Sequence, residues 1–567
     1  MSKKEKGNKA AAPVSGKETK AATVKPTVSG LLDKLDRWFD KHEKKVFYFL
    51  LFGSLLFSIL LFDSKVSEGG DDSGYIQRAW ELLHEGKLTY FQGPGYPMFL
   101  SIFVKLFGLD VVMLKTFSVL CQLGFVWVTY LTFKKRVPST VLFALLAYIS
   151  FNHYIQYYSS QTFTETFFLF VQSICLFVVF KIIDSIKEQE SLVESIKQNY
   201  LKWLLFGLVF VLLSISKSIA IVGFVAVVIY FVFKKNFKQA FFAIVAFMIF
   251  RLLYQFITTS VFGANDSDQM ELILRKNLYR PTDGHEDVSG MITRFFNNFN
   301  TYISVHMYRL INIRGEAVEA NKFIPALSYI SAIILVIYSI VTYRLNKFIF
   351  FCSIYLIMLA GAIFFGIQAH NMQDRLIIII MPLIFLVLFG GTYYLIKKSS
   401  MAQSLFVIFA SIMLIVTVGK TSAKAKKNVV ALQKNLSGDI YYGYTDDWIN
   451  FLKMSKYCAD SLPDSVHVLS RKPNMSFIYG NGKKFNGQFW VTSENADTVM
   501  AQWQKQKIEY ILLPSLRQNP KKRNGRIINT VHRMVGHVLQ NPKYAPKIKL
   551  IKTIGADEKC ELIKITY

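Results

Sequence analysis

Charge is what this sequence has least of. Charged residues make up 18 % of its 567 residues, where an average soluble domain carries about a quarter. Acid is scarcer than base, with 38 Asp and Glu against 66 Lys and Arg and a net charge of +28. That basic excess does not indicate a nucleic-acid binder, because no polar chain accompanies the cations. Five cysteines are too few for a disulfide scaffold. No Gly-x-Ser-x-Gly elbow, His-Glu-x-x-His or Walker sequence occurs, so hydrolase and ATPase readings have no motif to stand on. No repeat of roughly 20–50 residues is evident. What the chain has in plenty is apolar surface: 52 % hydrophobic residues, 50 Phe and 29 Tyr. Dominant disorder and an ordinary cytosolic enzyme are excluded, and a polytopic membrane protein with polar parts is left.

The first 45 residues carry twelve Lys/Arg and six Asp/Glu. Residues 1–45 are therefore expected to form a disordered, basic cytoplasmic tail. The first apolar run, Val46 to Phe62, comes too late for a signal peptide and reads as a retained anchor. Further runs near the length of a span lie at 111–133, 138–151, 162–183, 203–216, 219–233, 239–258, 324–344, 348–368, 375–396 and 402–419, making eleven candidate helices. Lys and Arg collect in alternate loops, among them Lys134-Lys135-Arg136, Lys234-Lys235 and Lys397-Lys398. Cytoplasmic loops gather such charge, which places the N-terminus inside. The basic stretch Lys420 to Lys427 then falls outside, where long translocated domains escape the rule. The expected architecture is mainly α: a helical bundle over 46–420 with outer loops 63–110 and 259–323, and a small α/β domain over 421–567 on the outer face.

The first outer loop holds Glu68-Gly-Gly-Asp71-Asp72-Ser73-Gly74-Tyr75, and apolar residues recur at helical spacing from Tyr75 to Leu83. Two acids at the start of a helix are favoured by its dipole and read first as a cap. Pro94-Gly95-Tyr96-Pro97 then forces a turn, and the apolar segment 97–107 is too short to span. Glu165 stands at the outer end of an otherwise uncharged span, where an ionisable group faces a cavity or a partner. Lys217, His370 and Arg375 fall at the same level. Singly these cations are interfacial anchors. Together with Asp71, Asp72 and Glu165 they suit a reaction between a lipid-borne anion and a polar acceptor. The cations, Arg375 above all, clamp a phosphate, and a carboxylate accepts the proton of an attacking hydroxyl.

Asp71-Asp72-Ser73-Gly74-Tyr75 with Ala79, Leu83 and Gly86, followed by Pro94-Gly95-Tyr96-Pro97, resembles the first outer loop of the GT-C glycosyltransferases. More narrowly it is similar to the branch holding protein O-mannosyltransferases and aminoarabinose lipid A transferases. Thr164-Glu165-Thr166, Lys217 and Asp374-Arg375 before Met381-Pro382 match other recurring positions, over roughly 45–420. The resemblance implies an inverting transfer of sugar from a polyprenyl-phosphate donor, on the outer face, to a glycan, lipid or protein acceptor. It implies a first-loop Asp as general base, Asp71 by spacing from Tyr75 or Asp72 by a one-residue shift. The resemblance places Arg375 at the lipid phosphate. From the residues themselves Glu165 is expected to orient the acceptor or base, Lys217 to join Arg375 on the phosphate, and Tyr75, Tyr96 and His370 to lie at the substrate. The donor is a co-substrate, and no metal or other cofactor is required. The family often has Arg where Lys217 stands, and Arg-Tyr where this chain has Arg375-Leu376.

Beyond residue 440, helices are expected at 446–462, 498–507 and 528–540, and strands at 465–470, 508–513, 548–554 and 561–566. Arg471-Lys472-Pro473 and Gly480-Asn-Gly482 read as turns. Between Arg517 and Ala556 stand ten Lys/Arg and no acid, a solvated face or a surface for anionic lipid. Cys458 and Cys560 share this outer domain, and an oxidising compartment would permit them to pair. His285 among Glu286 and Asp287 is a weak metal signal. The alternative function is a transporter or flippase of lipid-linked glycans, although such proteins place charge at mid-membrane. The expected location is a bacterial inner membrane, with the site and C-terminal domain periplasmic. Oligomeric state is not legible.

Overall fold

The computed structural model describes residues 30–186, 192–263, 268–277, 283–315, 319, 322–368 and 373–567. Helix α1 runs Leu31–Leu60. Residues 31–45, expected within the disordered tail, are thus helical. One side packs on the bundle: Leu32 is 1 % exposed, Phe39 stacks on Phe143 at 4.9 Å, and Asp36 accepts from Thr140 N at 2.7 Å and Oγ1 at 2.8 Å. An apolar stripe and satisfied acids outweigh the composition that suggested disorder.

Then follow α2 (Asp71–Glu85), α3 (Gly95–Phe107), α4 (Val111–Phe133), α5 (Ser139–Phe151), α6 (His153–Ser159) and α7 (Thr164–Ser185). Helix α8 (Leu192–Ser216) leads through a 3-10 turn to α9 (Ile221–Phe233) and α10 (Phe237–Phe262). The outer loop carries α11 (Asp268–Leu274), α12 (Val288–Thr301), a π-helical turn Tyr302–Met307 and α13 (Tyr308–Leu310). The bundle closes with α14 (Pro325–Leu345), α15 (Lys347–Gly366), α16 (Arg375–Ile378), α17 (Met381–Ile396) and α18 (Ser400–Leu436).

All eleven apolar runs form helices. Seven of these helices, α4, α7, α8, α10, α14, α15 and α18, are long and apolar enough to cross a membrane. Helices α5, α9 and α17 are shorter, and in α1 the apolar half follows a charged one. The chain is an integral membrane protein. Within it α7 is central, 78 % of its apolar window being buried, whereas α14 buries 17 % and α18 11 %. The exposed Phe256, Ile340 and Ile415 of the outer helices suit contact with hydrocarbon.

Helix α18 runs without a break from the last apolar run at 402–419 through the basic stretch to Leu436. The basic stretch that follows the apolar run is its exit turn. There Lys420 donates to Asn312 O at 3.0 Å, and Asn428 donates to Phe62 O at 2.7 Å.

The C-terminal domain, expected from the sequence on the outer face, comprises α19 (Asp446–Ser461), β1 (His467–Ser470), α20 (Pro473–Tyr479), β2 (Phe485–Gly487), α21 (Ala496–Lys505), β3 (Ile508–Pro514), α22 (Thr530–Gln540), β4 (Ile548–Ile554) and β5 (Cys560–Ile565). Strand order is β2-β1-β3-β5-β4. The first three strands are parallel and β5 runs antiparallel to β3 and β4, with Leu512 opposite Leu562. Alternation along the strands gives the sheet two buried faces. Val468, Leu512 and Leu562 join the core shared with α19, α20 and the bundle. Leu469, Ile511 and Ile563 face α21 and α22. Sequence periodicity missed α20 and β2, which are only seven and three residues long. Cys458 and Cys560 are free, buried thiols. Several cations of the basic stretch are matched by acids elsewhere in the domain, as in Arg517–Glu558, Arg533–Glu494 and Lys543–Asp497.

Candidate active site at the outer mouth of the bundle

Asp71 and Asp72 begin α2 behind Gly70, whose φ of +87° puts it in the left-handed region that suits glycine. Successive helical residues point about 100° apart, so the two carboxylates diverge. Asp72 turns inward and is fully buried. It accepts from Ser67 N at 2.6 Å, Ser67 Oγ at 2.9 Å and Ser73 N at 2.8 Å. Burial pushes its carboxyl above the usual range, against the pull of those bonds and of Lys115. Asp71 turns outward, 37 % exposed at the side chain, and forms an ion pair with Arg375. The two aspartates that the sequence left interchangeable have different surroundings: one closes a turn, the other meets a guanidinium.

Arg375 opens α16 and lies over the Phe163 ring at 5.2 Å. Its buried Nε has no hydrogen-bond partner among the described residues. Glu165, at the head of α7, is 2 % exposed, and its Oε1 accepts from Lys217 Nζ at 2.7 Å. Glu165 Oε2 is buried with no hydrogen-bond partner among the described residues. Lys217 reaches it because the first loop packs tightly on the end of α8. A Cβ on Gly93 would stand 2.5 Å from Ile215 O, and one on Gly95 would stand 3.1 Å from the same carbonyl. Both positions need glycine for this approach, which settles the backbone just ahead of Lys217.

Tyr75, one turn after Asp71, lies within electrostatic reach of Glu165 and Arg375. Burial pushes its phenol up to about 12, so it is a neutral hydroxyl at physiological pH. Tyr96 was expected at the substrate, but it is fully buried and edge-on to Tyr75 at 5.5 Å, with its hydroxyl 3.3 Å from Ser118 Oγ. Its ring backs Tyr75. Its large ring fills the space between α3, α4 and α7. His370 lies outside the described residues.

Sequence reading passed over three groups. Asp374, beside Arg375, accepts from His306 Nδ1 at 2.5 Å and from Arg309 at 2.7 and 2.8 Å. Burial raises the Asp374 carboxyl, but these two partners more than offset that and hold it below the usual range. His306 belongs to the π-helical turn, a feature that often marks functional segments. Lys115 is fully buried in α4, paired with Asp63 at 2.7 Å and bonded to Lys65 O at 2.6 Å. A lysine inside an apolar run was the signal available for it. The third group, Lys472, comes from the outer domain.

A bundle of apolar helices capped by a small α/β domain, with charged groups gathered where the first outer loop meets later helices, has the GT-C fold. Chains of solved structure that it resembles are ArnT from Cupriavidus metallidurans bound to undecaprenyl phosphate and the apo oligosaccharyltransferase of Archaeoglobus fulgidus. The first is 9 % identical at a TM-score of 0.54, over 91 % of this chain and 97 % of that one. The second is 13 % identical at 0.53, over 84 % and 70 %. No protein-family model and no curated protein matches the sequence. At such identities the likeness is one of fold.

Proposed function

We propose that this protein is a glycosyltransferase moving a sugar from a polyprenyl-phosphate donor to an acceptor of the cell envelope, a protein, lipid A or another glycan. The Asp71–Arg375 ion pair at the outer mouth of the bundle carries this reading. It joins a base for the acceptor and a clamp for the leaving group. In the resting arrangement each neutralises the other. A lipid phosphate would take over the guanidinium, which recognises phosphate oxygens well, and release Asp71 towards the acceptor. The acceptor hydroxyl oxygen then attacks the anomeric carbon and its proton passes to Asp71. The bond from that carbon to the phosphate oxygen breaks, the electron pair leaves with the phosphate, and the configuration inverts. Arg375 and Lys217 stabilise the charge that develops, and the scheme invokes no metal. Glu165 sets the position of Lys217. Fold likeness to a protein bound to undecaprenyl phosphate supports a lipid-linked donor. Alternating loop charge supports a cytoplasmic N-terminus, with the site and outer domain on the periplasmic side of a bacterial inner membrane.

The test is transfer of labelled sugar from polyprenyl-phospho-sugars by the full-length protein in lipid discs. Wild type should form the glycosidic bond and D71N should lose about 10²–10⁴ of the rate. A D71N protein at wild-type rate, or movement of glycan across a bilayer with no bond formed, would overturn the proposal.

A further inference from the structure

The connection that presents Asp71 is gripped from a part of the chain some four hundred residues away. Lys472 Nζ donates to Glu68 O at 2.9 Å and to Gly69 O at 3.0 Å. These are the carbonyls just ahead of Gly70 and Asp71. Its backbone is anchored in the outer domain: Lys472 N donates to Ser470 Oγ at the end of β1, and its carbonyl accepts from Ser476 N within α20. The Trp448 ring of α19 lies 5.8 Å from the ammonium. The two parts meet around it. Trp80 of α2 is edge-on to Phe477 of α20 at 5.3 Å, Lys65 donates to Gly443 O at 3.0 Å, and Tyr444 donates to Val66 O at 2.5 Å.

We propose that Lys472 is a positioning residue: through its ammonium the outer domain holds the 68–70 turn and thereby fixes where Asp71 stands relative to Arg375. The inference rests on the glycosyltransferase reading and adds a part for the outer domain in it. Asp72 and Ser73 tie the turn from within, Asp72 through Ser67 and Ser73 through Gly70 O at 2.8 Å. Lys472 ties it from outside. Releasing two charge-assisted bonds would free the turn that aims Asp71, and small displacements of a reacting group cost rate steeply.

The hold is sensitive to pH. Burial, with Arg471 alongside, pulls Lys472 down to about 8, against the attraction of Asp71, Asp72 and Glu68. Glu68 in turn faces Lys65, Asp447 and Arg517. Near pH 8 the ammonium becomes an amine, a weaker donor without charge beside the acidic turn. Lys472 has a folded-state pKa below its ordinary 10.5, so the unfolded chain binds this proton more tightly. Its titration therefore raises stability between the two values. Deprotonation of Lys472 by itself thus does not lower stability above pH 8. The thermal midpoint measured across the same pH range separates loss of the hold from loss of fold.

The experiment uses the full-length protein in lipid discs. It compares wild type, K472M and K472R by transfer kinetics from pH 6.5 to 9.5, by thermal midpoint and by amide exchange corrected for intrinsic pH dependence. Wild type should show an alkaline limb near pH 8. K472M should lower kcat by about ten- to a hundredfold, leave KM for the lipid donor little changed and lack the limb. K472R should recover most of the rate without the limb. Amides of residues 66–75 should exchange faster in K472M, with exchange in other segments unchanged and the thermal midpoint lower by a few degrees. Wild-type kcat with the limb intact in K472M, or unaltered exchange at 66–75, overturns the proposal while leaving the function in place. A wild type without transfer activity whose 66–75 exchange still responds to K472M overturns the function and leaves the hold on the turn.

Discussion

Replacing each first-loop aspartate by asparagine should separate activity from stability. Asp72 is fully buried and accepts three hydrogen bonds, two of them from backbone amides. Asparagine there keeps one carbonyl oxygen but turns an NH2 group towards donors that have no other use for it. Hydrogen bonds to a charged group are each worth about 1.5–3 kcal/mol. Losing one or two of them is partly offset because a neutral side chain no longer has a charge to bury. A net cost on the order of 2 kcal/mol follows, read as a fall of several degrees in the thermal midpoint of D72N. Asp71 is more than a third exposed and loses a single ion pair. Pairs of that kind contribute at most about 1 kcal/mol, so the midpoint of D71N should barely move while its transfer rate collapses. The assay is a thermal scan and a transfer measurement on the same preparations, with rate expressed per folded molecule. A D72N protein of unchanged midpoint and abolished rate, beside an active D71N, would refute the division of roles.

Glu165 and Lys217 form a pair with little solvent, and removing one partner of such a pair costs about 3–5 kcal/mol. Single E165A and K217M variants should each be strongly destabilised in thermal scans, and the double variant by less than the sum. G93A sets a Cβ 2.5 Å from Ile215 O at a φ of +88°, and strain of that kind costs on the order of 1–3 kcal/mol. Its thermal midpoint should fall, and the rate should fall with it as Lys217 shifts. Asp374 has a folded-state value below its ordinary 3.8. Its contribution to stability is complete above that pH and lost as pH falls through the folded value. An acid-unfolding series should show D374N lacking this part of the decline.

Hydrophobic run length and loop charge are local properties, and they carried the helix positions and the reading of a membrane bundle. Run length misjudged the ends. Residues 31–45 look polar by composition, yet Leu32 and Phe39 bury one stripe, and α18 outlasts its apolar segment because charged side chains continue a helix beyond the bilayer. At the site, Glu165, Lys217 and Arg375 were legible because each stands at the end of an apolar run, and Asp71 because it stands in the polar loop after the first one. The burial of Tyr96 against Tyr75 was not legible, because a motif position does not say which way a ring points.

By itself the sequence determined that this chain is a membrane bundle with a C-terminal α/β domain and charged residues at the ends of its apolar runs. Those features follow from the hydrophobic effect and from charge, which act on residues near in sequence. Tertiary structure alone decided that Asp71 faces Arg375 while Asp72 closes its own turn, since helical phase and packing set the direction of adjacent side chains. It also brought Lys217 to Glu165 and Lys472 to the carbonyls ahead of Asp71. Contacts between residues 52 and 404 positions apart leave no periodic trace in a single chain. They exist because the fold buries those charges together and each requires a partner.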